Sequence, residues 1–294
     1  TIDGVANIDT GDNGGNMATT NVDAVAEFKV LTNAYQAEYG RAVGGQVQVV
    51  TKSGTQSFHG SGYWYGRRSD WNANTWLNKR AAAPPPVGSG TLIEPAKSSR
   101  NDYGYTLGGP IYRDKAWFFG AYQPALTTTT RSVDKQTSGN PNSSIWSDVE
   151  SKENTQYISA NTTAQIGNNI RTRVSYNNSW NRTQGRLPAQ AGTTSQLALL
   201  SIDDTNPNWA LSANLDWVAT PSLYFGFRGG YYKSDVYNNG VPDEVRYLYS
   251  RGNVGQANVP ASFQHAANFS NVFTNTSTVR DAQTRAFFQT DATF

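Results

Sequence analysis

Apolar and polar residues alternate along much of the chain after residue 40, in segments of about ten residues. In 208–219, NWALSANLDWVA, one face carries Trp209, Leu211, Ala213, Leu215, Trp217 and Ala219, and the other carries Ala210, Ser212, Asn214 and Asp216. The design returns in 170–180, with Ile170, Thr172, Val174, Tyr176 and Trp180 against Arg171, Arg173, Ser175, Asn177 and Ser179. A third copy sets Leu223, Phe225, Phe227, Gly229 and Tyr231 against Tyr224, Gly226, Arg228, Gly230 and Tyr232. Weaker alternation at 61–66, 103–111, 116–122, 156–166 and 282–294 brings the expected number of strands from residue 61 onward to eight. A period of two is what a strand with two unlike faces requires. Helical periodicity is scarce over the same region.

The connections sharpen the picture. From Ser61 onward they alternate: long (67–100), short (112–115), long (127–153), short (167–169), long (181–207), short (220–221) and long (238–280). Tight turns at one end and extended loops at the other are the habit of an outer-membrane barrel. Trp209 and Trp217 are eight residues apart. At about 3.3 Å per residue and a tilt near 40°, they stand roughly 20 Å apart along a membrane normal, close to the height of a barrel's apolar band. On residues alone, both could equally cap the core face of an ordinary amphipathic strand.

Composition narrows the classes. The 294 residues could hold two domains, yet hydrophobic residues are 37% and charged residues 16%, so most polarity is uncharged. Aromatics at 12% argue against disorder. A net charge of +2 with no basic stripe gives no reason to expect a nucleic-acid partner. With no cysteine, disulfide frameworks and thiolate metal sites are excluded for this chain. No stretch approaches the roughly 20 apolar residues of a spanning helix, which leaves a barrel as the way to cross a membrane. The chain opens at Thr1-Ile2-Asp3-Gly4 without signal-peptide features, so a leader would lie outside this sequence.

Upstream of the first expected strand, residues 37–55, AEYGRAVGGQVQVVTKSGT, put four glycines beside an alternating Gln/Val run. With residues 22–36 this stretch resembles the end of the plug domain of TonB-dependent outer-membrane receptors, where I-E-x-I-E-V is followed by Y-G-x-x-x-x-G-G-x-I-N-I-x-T-K. The matching residues are Val25, Glu27, Phe28 and Val30, then Tyr39, Gly40, Gly44, Gly45, Val47, Val49, Thr51 and Lys52. Asp3-Gly4-Val5 looks like an earlier plug strand, and TKSGTQSFHG with GGPIYRDKAWFFG looks most like the Oar-like branch. Gln46, Gln48 and Trp117 depart from the pattern without threatening the fold.

The resemblance implies an all-β-dominated chain: the end of a small α+β plug at 1–56, then about eight strands of a larger antiparallel transmembrane barrel at 57–294. A barrel of eight strands is filled by its own side chains, whereas plugged transporters have about 22. The remainder of the barrel, or other chains completing the sheet, would therefore be partners. The resemblance further implies a bacterial outer-membrane location, outer-membrane lipid against Trp209, Leu211, Leu215, Trp217, Leu223, Phe225 and Phe227, an extracellular ligand, and import driven through the TonB system. In the plug, valines of the Gln/Val run are expected to pack on a small core and glutamines to meet the polar barrel wall. Any regulatory-like domain, TonB box and first half of the plug would lie outside this sequence.

Signatures of catalysis are lacking, so no enzyme, cofactor or metal is expected. The chain has only His59 and His265. HGSG at 59–62 has no glycine two residues before Ser61, and Lys52-Ser53 lacks the preceding Gly-x-x-x-x-Gly of a phosphate loop. DTGDNG at 9–14 resembles part of a calcium loop, but Gly11 replaces a ligand and no glutamate stands at the closing position. Ligand chemistry is expected in the first long loop, where Arg67, Arg68, Trp71, Trp76, Lys79 and Arg80 could stack on a sugar or hold an anionic chelate. Loop packing with solvated charges explains the same residues. Two other classes stay open: a structural or adhesive surface β protein, including a small complete barrel, and a soluble carbohydrate-binding β protein.

Overall fold

The computed structural model describes residues 1–3, 19–31, 46–81, 97–134, 146–187, 202–239, 245, 247–249, 251–265, 267, 269–270 and 279–294. Near the start, β1 (Val25–Leu31) and β2 (Gln46–Thr51) pair antiparallel, and Ile2 adds a parallel bridge to Val49. Seven strands follow: β3 (His59–Arg68), β4 (Lys97–Tyr112), β5 (Ala116–Asp134), β6 (Trp146–Ile166), β7 (Ile170–Gln184), β8 (Asp203–Thr220) and β9 (Leu223–Asn239). A short pair, β10 (Leu248–Tyr249) and β11 (Phe269–Ser270), precedes β12 (Val279–Thr293).

Strands β3 to β9 and β12 form one antiparallel eight-stranded sheet in which chain neighbours are sheet neighbours, with β12 beside β9. This is the expected partial barrel. Its edges are β3 and β12, which do not pair with each other, so among the described residues the sheet is not a closed eight-stranded barrel. The turns 113–115, 167–169 and 221–222 are tight, and the long connections all lie at the opposite end. Gly167 and Asp114 supply the left-handed backbone that two of these turns need, at φ 59° and 62°.

The strands run further toward the loop end than hydrophobic alternation indicates. Residues 127–134 of β5 pair with 146–153 of β6, where the sequence suggested a loop. The cause is chemical: Thr127 to Thr130 opposite Glu150 to Glu153 are polar on both faces, so no period shows, while β-branched threonine still suits the pleated backbone.

The two faces of the sheet are inverted relative to a soluble protein. One buries Ser159, Asn161, Thr163, Ser175, Asn177 and Ser212, whereas the other exposes Ile158, Val174, Leu211 and Trp217. Aromatic rings link neighbouring strands on the exposed side. Trp209 lies 6.3 Å from Tyr176 and 5.4 Å from Tyr231, and Trp217 stacks on Phe225 at 5.4 Å. The small apolar cluster is on the polar side, where Ala24 meets Phe119 and Ala121 of β5.

Candidate functional site

The N-terminal segment is docked on the polar face of the sheet. A short 3-10 turn, Val22–Ala24, packs on β4 and β5, with Asn21 capping it by accepting from the Asp23 amide at 2.8 Å. From β2 the chain crosses to β3 beside the tight turns. Gly54 passes so close to β5 that a Cβ there would lie 2.2 Å from the Phe118 carbonyl oxygen, a clash of backbone with backbone that only glycine avoids.

Asp3, Thr51 and Arg173 form the centre of the contact. The buried Asp3 carboxylate accepts from the Thr51 amide and from Thr51 Oγ1, both at 2.8 Å. Asp3 holds φ of 48°, a conformation aspartate tolerates, and its amide donates to the Val49 carbonyl at 2.9 Å. From the wall, Arg173 of β7 donates to Ser53 Oγ at 2.5 Å, Thr51 Oγ1 at 2.6 Å and the Thr51 carbonyl at 2.7 Å. Its guanidinium also stands 3.5 Å from the Asp3 carboxylate. Asn161 of β6 donates to the Lys52 carbonyl at 2.7 Å, and Asn214 of β8 to the Asp3 carbonyl at 2.9 Å.

Two further contacts lie toward the loop end. Thr20 Oγ1 donates to Asn177 Oδ1 and meets Ser159 Oγ, each at 3.0 Å. Tyr63 of β3 donates to the Asp23 carboxylate. Such bonds are directional and individually modest, about 1 kcal/mol for neutral pairs and more where a charge takes part. A docked surface of this kind can be released one contact at a time, unlike a hydrophobic core.

Elsewhere on the same face, near the tight turns, Arg228 lies 3.1 Å from Asp291 and 3.9 Å from Asp216, which also accepts from Tyr224. Its charges are balanced locally.

The residues singled out in the sequence fall in several places. Thr51 and Lys52 are in the docked contact, through side chain and carbonyl respectively. Tyr39, Gly40, Gly44 and Gly45, and the stretch 9–14, lie outside the described residues. The expected arrangement of the Gln/Val run is corrected: β1 and β2 project from the wall with Phe28 63% and Val47 42% exposed, and the wall is met by Asp3, Thr20, Asp23 and 51–53. Among the described residues, it is the base of the hairpin that reaches the sheet.

In the first long loop, Arg67 and Arg68 are successive strand residues and therefore point to opposite faces. Arg68 donates to Ser99 at 2.9 Å on the apolar side. Trp71 sits in a 3-10 turn, and Trp76, Lys79 and Arg80 in a single helical turn, with Arg80 5.0 Å over the Trp76 ring. Thus Trp76 and Arg80 are brought together, on an exposed surface. Trp209, Leu211, Leu215, Trp217, Leu223, Phe225 and Phe227 all lie on the face opposite the docked segment. Asp3, Thr20, Asn161 and Arg173 were not legible as a site; the available signal was that Arg173 and Asn177 share the polar face of one alternating strand.

Residues 50–141 match a family described as outer membrane β-barrel domain. A curated relative, the TonB-dependent transporter Oar of Myxococcus xanthus, is 34% identical over 116 residues, 39% of this chain. The matched part spans 10% of that relative's length. Among solved structures, the ferric-catecholate import receptor Fiu of E. coli K12 in its open form aligns over 92% of this chain and 57% of its own, at 10% identity and a TM-score of 0.35. By name the two are a transporter and an import receptor.

Proposed function

We propose, for a chain that is TonB-dependent-receptor-like and belongs to the bacterial outer membrane, a receptor's function: capture of an extracellular ligand and its import when TonB, energised by the inner-membrane proton gradient, displaces the docked segment. The observation that carries this reading is the contact of Asp3, Thr51 and Arg173. It ties an N-terminal segment to the polar wall by separable hydrogen bonds, on the side away from the apolar face.

In this reading 1–56 is the end of the plug, and 57–294 is barrel wall. Trp209, Leu211, Leu215, Trp217, Leu223, Phe225 and Phe227 face lipid, and the open edges β3 and β12 pair with further strands, because hydrocarbon does not tolerate unpaired backbone. The loop residues Arg67, Arg68, Trp71, Trp76, Lys79 and Arg80 contribute to ligand capture from the outer side.

A reversible lock tests the displacement. Thr20 Oγ1 and Ser159 Oγ are 3.0 Å apart, and the chain has no cysteine, so a Thr20→Cys/Ser159→Cys pair can bridge segment and wall. On the nutrient for which deletion of the gene limits growth, oxidised cells should fail to take it up and reductant should restore uptake. Unimpaired uptake with the bridge shown to be formed would refute the proposal.

A further inference from the structure

Across β5 to β9 the wall immediately loopward of the docked segment is uncharged, and on β4 Asp102, which enters the row of Thr155, is neutralised by Arg100 at 2.9 Å. Thr20 covers the row formed by the paired Ser159 and Asn177. One row further toward the loops, paired residues of five consecutive strands are Gln123, Tyr157, Ser179, Asn208 and Ser234. Above them Thr155, Asn181 and Asn206 continue the same chemistry on β6, β7 and β8. Glu153 and Asp204 bring the first charges of these strands only in the next row.

These side chains hold one another in place. Asn181 Nδ2 donates to Thr155 Oγ1 at 2.8 Å, Asn208 Nδ2 to Asn206 Oδ1 at 2.9 Å, and Tyr232 OH to Asn208 Oδ1 at 3.2 Å. Four inter-strand spacings of about 4.8 Å make the row roughly 19 Å long, which suits an extended ligand. Amide and hydroxyl groups supply both donors and acceptors, and tyrosine adds an apolar ring with a polar tip. A free anion would find no cation in this row, and a strongly charged chelate would lose hydration without an opposite charge to replace it.

Resting on the receptor reading above, the geometry points to a neutral, hydroxyl-rich ligand, an oligosaccharide, lying across β5 to β9 on this row directly above the docked segment. It meets the wall through Tyr157, Asn181 and Asn208. The exposed Trp76 and Arg80 lie outside this row and are not needed for it.

The test is equilibrium binding to the receptor extracted in detergent from its outer membrane, which requires neither TonB nor a proton gradient. Its outcome is therefore independent of the cysteine lock. The probes are maltohexaose, cellohexaose and xylohexaose, with a ferric tris-catecholate and a neutral hexapeptide as the competing classes. At least one oligosaccharide should bind saturably, and Tyr157→Ala and Asn181→Ala should each weaken it about tenfold, the loss of one or two hydrogen-bonding or ring contacts. Arg228→Gln, near the tight turns, should leave it unchanged. Heat-modifiable migration on gels establishes that each variant is folded, and Asn208→Ala replaces any that is not. Binding of the chelate or peptide but no oligosaccharide, no binding of any probe, or oligosaccharide binding indifferent to these variants would overturn the inference.

Discussion

Arg173→Met removes the wall's largest contribution to the docked segment while keeping much of the side chain's apolar stem. Three short donations disappear, to Ser53 Oγ, Thr51 Oγ1 and the Thr51 carbonyl, together with the 3.5 Å approach to the Asp3 carboxylate. The Arg173 side chain is 17% exposed and that of Asp3 1%, so solvent screens the pair little. Breaking a buried charge pair costs about 3–5 kcal/mol. The lower end applies, because Thr51 still donates twice to the orphaned carboxylate. About 3 kcal/mol corresponds to a roughly 150-fold rise in the undocked population. Amide hydrogen exchange in lipid nanodiscs follows this at Asp3, Val49 and Thr51, whose amides are bonded within the segment to the Val49 carbonyl, the Thr1 carbonyl and Asp3 Oδ1 and lose the cover of the wall when the segment undocks. Their exchange should accelerate by about two orders of magnitude, while amides in the middle of β8 keep their protection. Arg173→Lys should fall between, since one ammonium cannot reproduce the guanidinium fork. Unchanged protection at these three amides in Arg173→Met would refute the assignment of the contact.

Other substitutions probe separate parts of the account. Ala213→Arg, midway between Trp209 and Trp217 on the apolar side, should cost about 2–4 kcal/mol if that side meets hydrocarbon. It should lower the yield of heat-modifiable barrel, whereas Ala210→Arg, half-buried on the polar side, should assemble normally. Gly54→Ala drives a Cβ into the Phe118 carbonyl, so limited proteolysis of intact receptor should cut sooner between β2 and β3. Tyr63→Phe removes only the donation to Asp23 and should raise exchange at the Asp23 and Ala24 amides by about tenfold or less.

What the sequence disclosed followed chemical contrast. Strand β8 was legible from Asn208 onward because Trp209, Leu211, Leu215 and Trp217 alternate with Ser212, Asn214 and Asp216, while its polar start at 203–207 read as loop. The loopward half of β5 and β6 was not, since threonine and glutamate repeat on both faces and no period separates in from out. The tight turns were placed correctly because alternation, weak or strong, resumes within a few residues on either side of them. The docked contact lay beyond any local pattern: Asp3 and Arg173 meet only once the sheet is formed. The motif around Thr51 and Lys52 marked one side of that contact, and nothing in the sequence spacing marked the other. For the loop residues 67–80, composition grouped side chains that alternation along β3 then divides between two faces.

In the receptor reading, the polar face of the sheet holds the N-terminal segment and the apolar face meets lipid. Single cysteines placed in turn from 209 to 217, each unique within a chain that has none of its own, can carry a spin label in reconstituted membranes. Collision with lipid-soluble oxygen should rise at 209, 211, 213, 215 and 217 and fall at the four positions between, with a period of two. Collision rates without that alternation, or with the even positions facing lipid, would contradict the account.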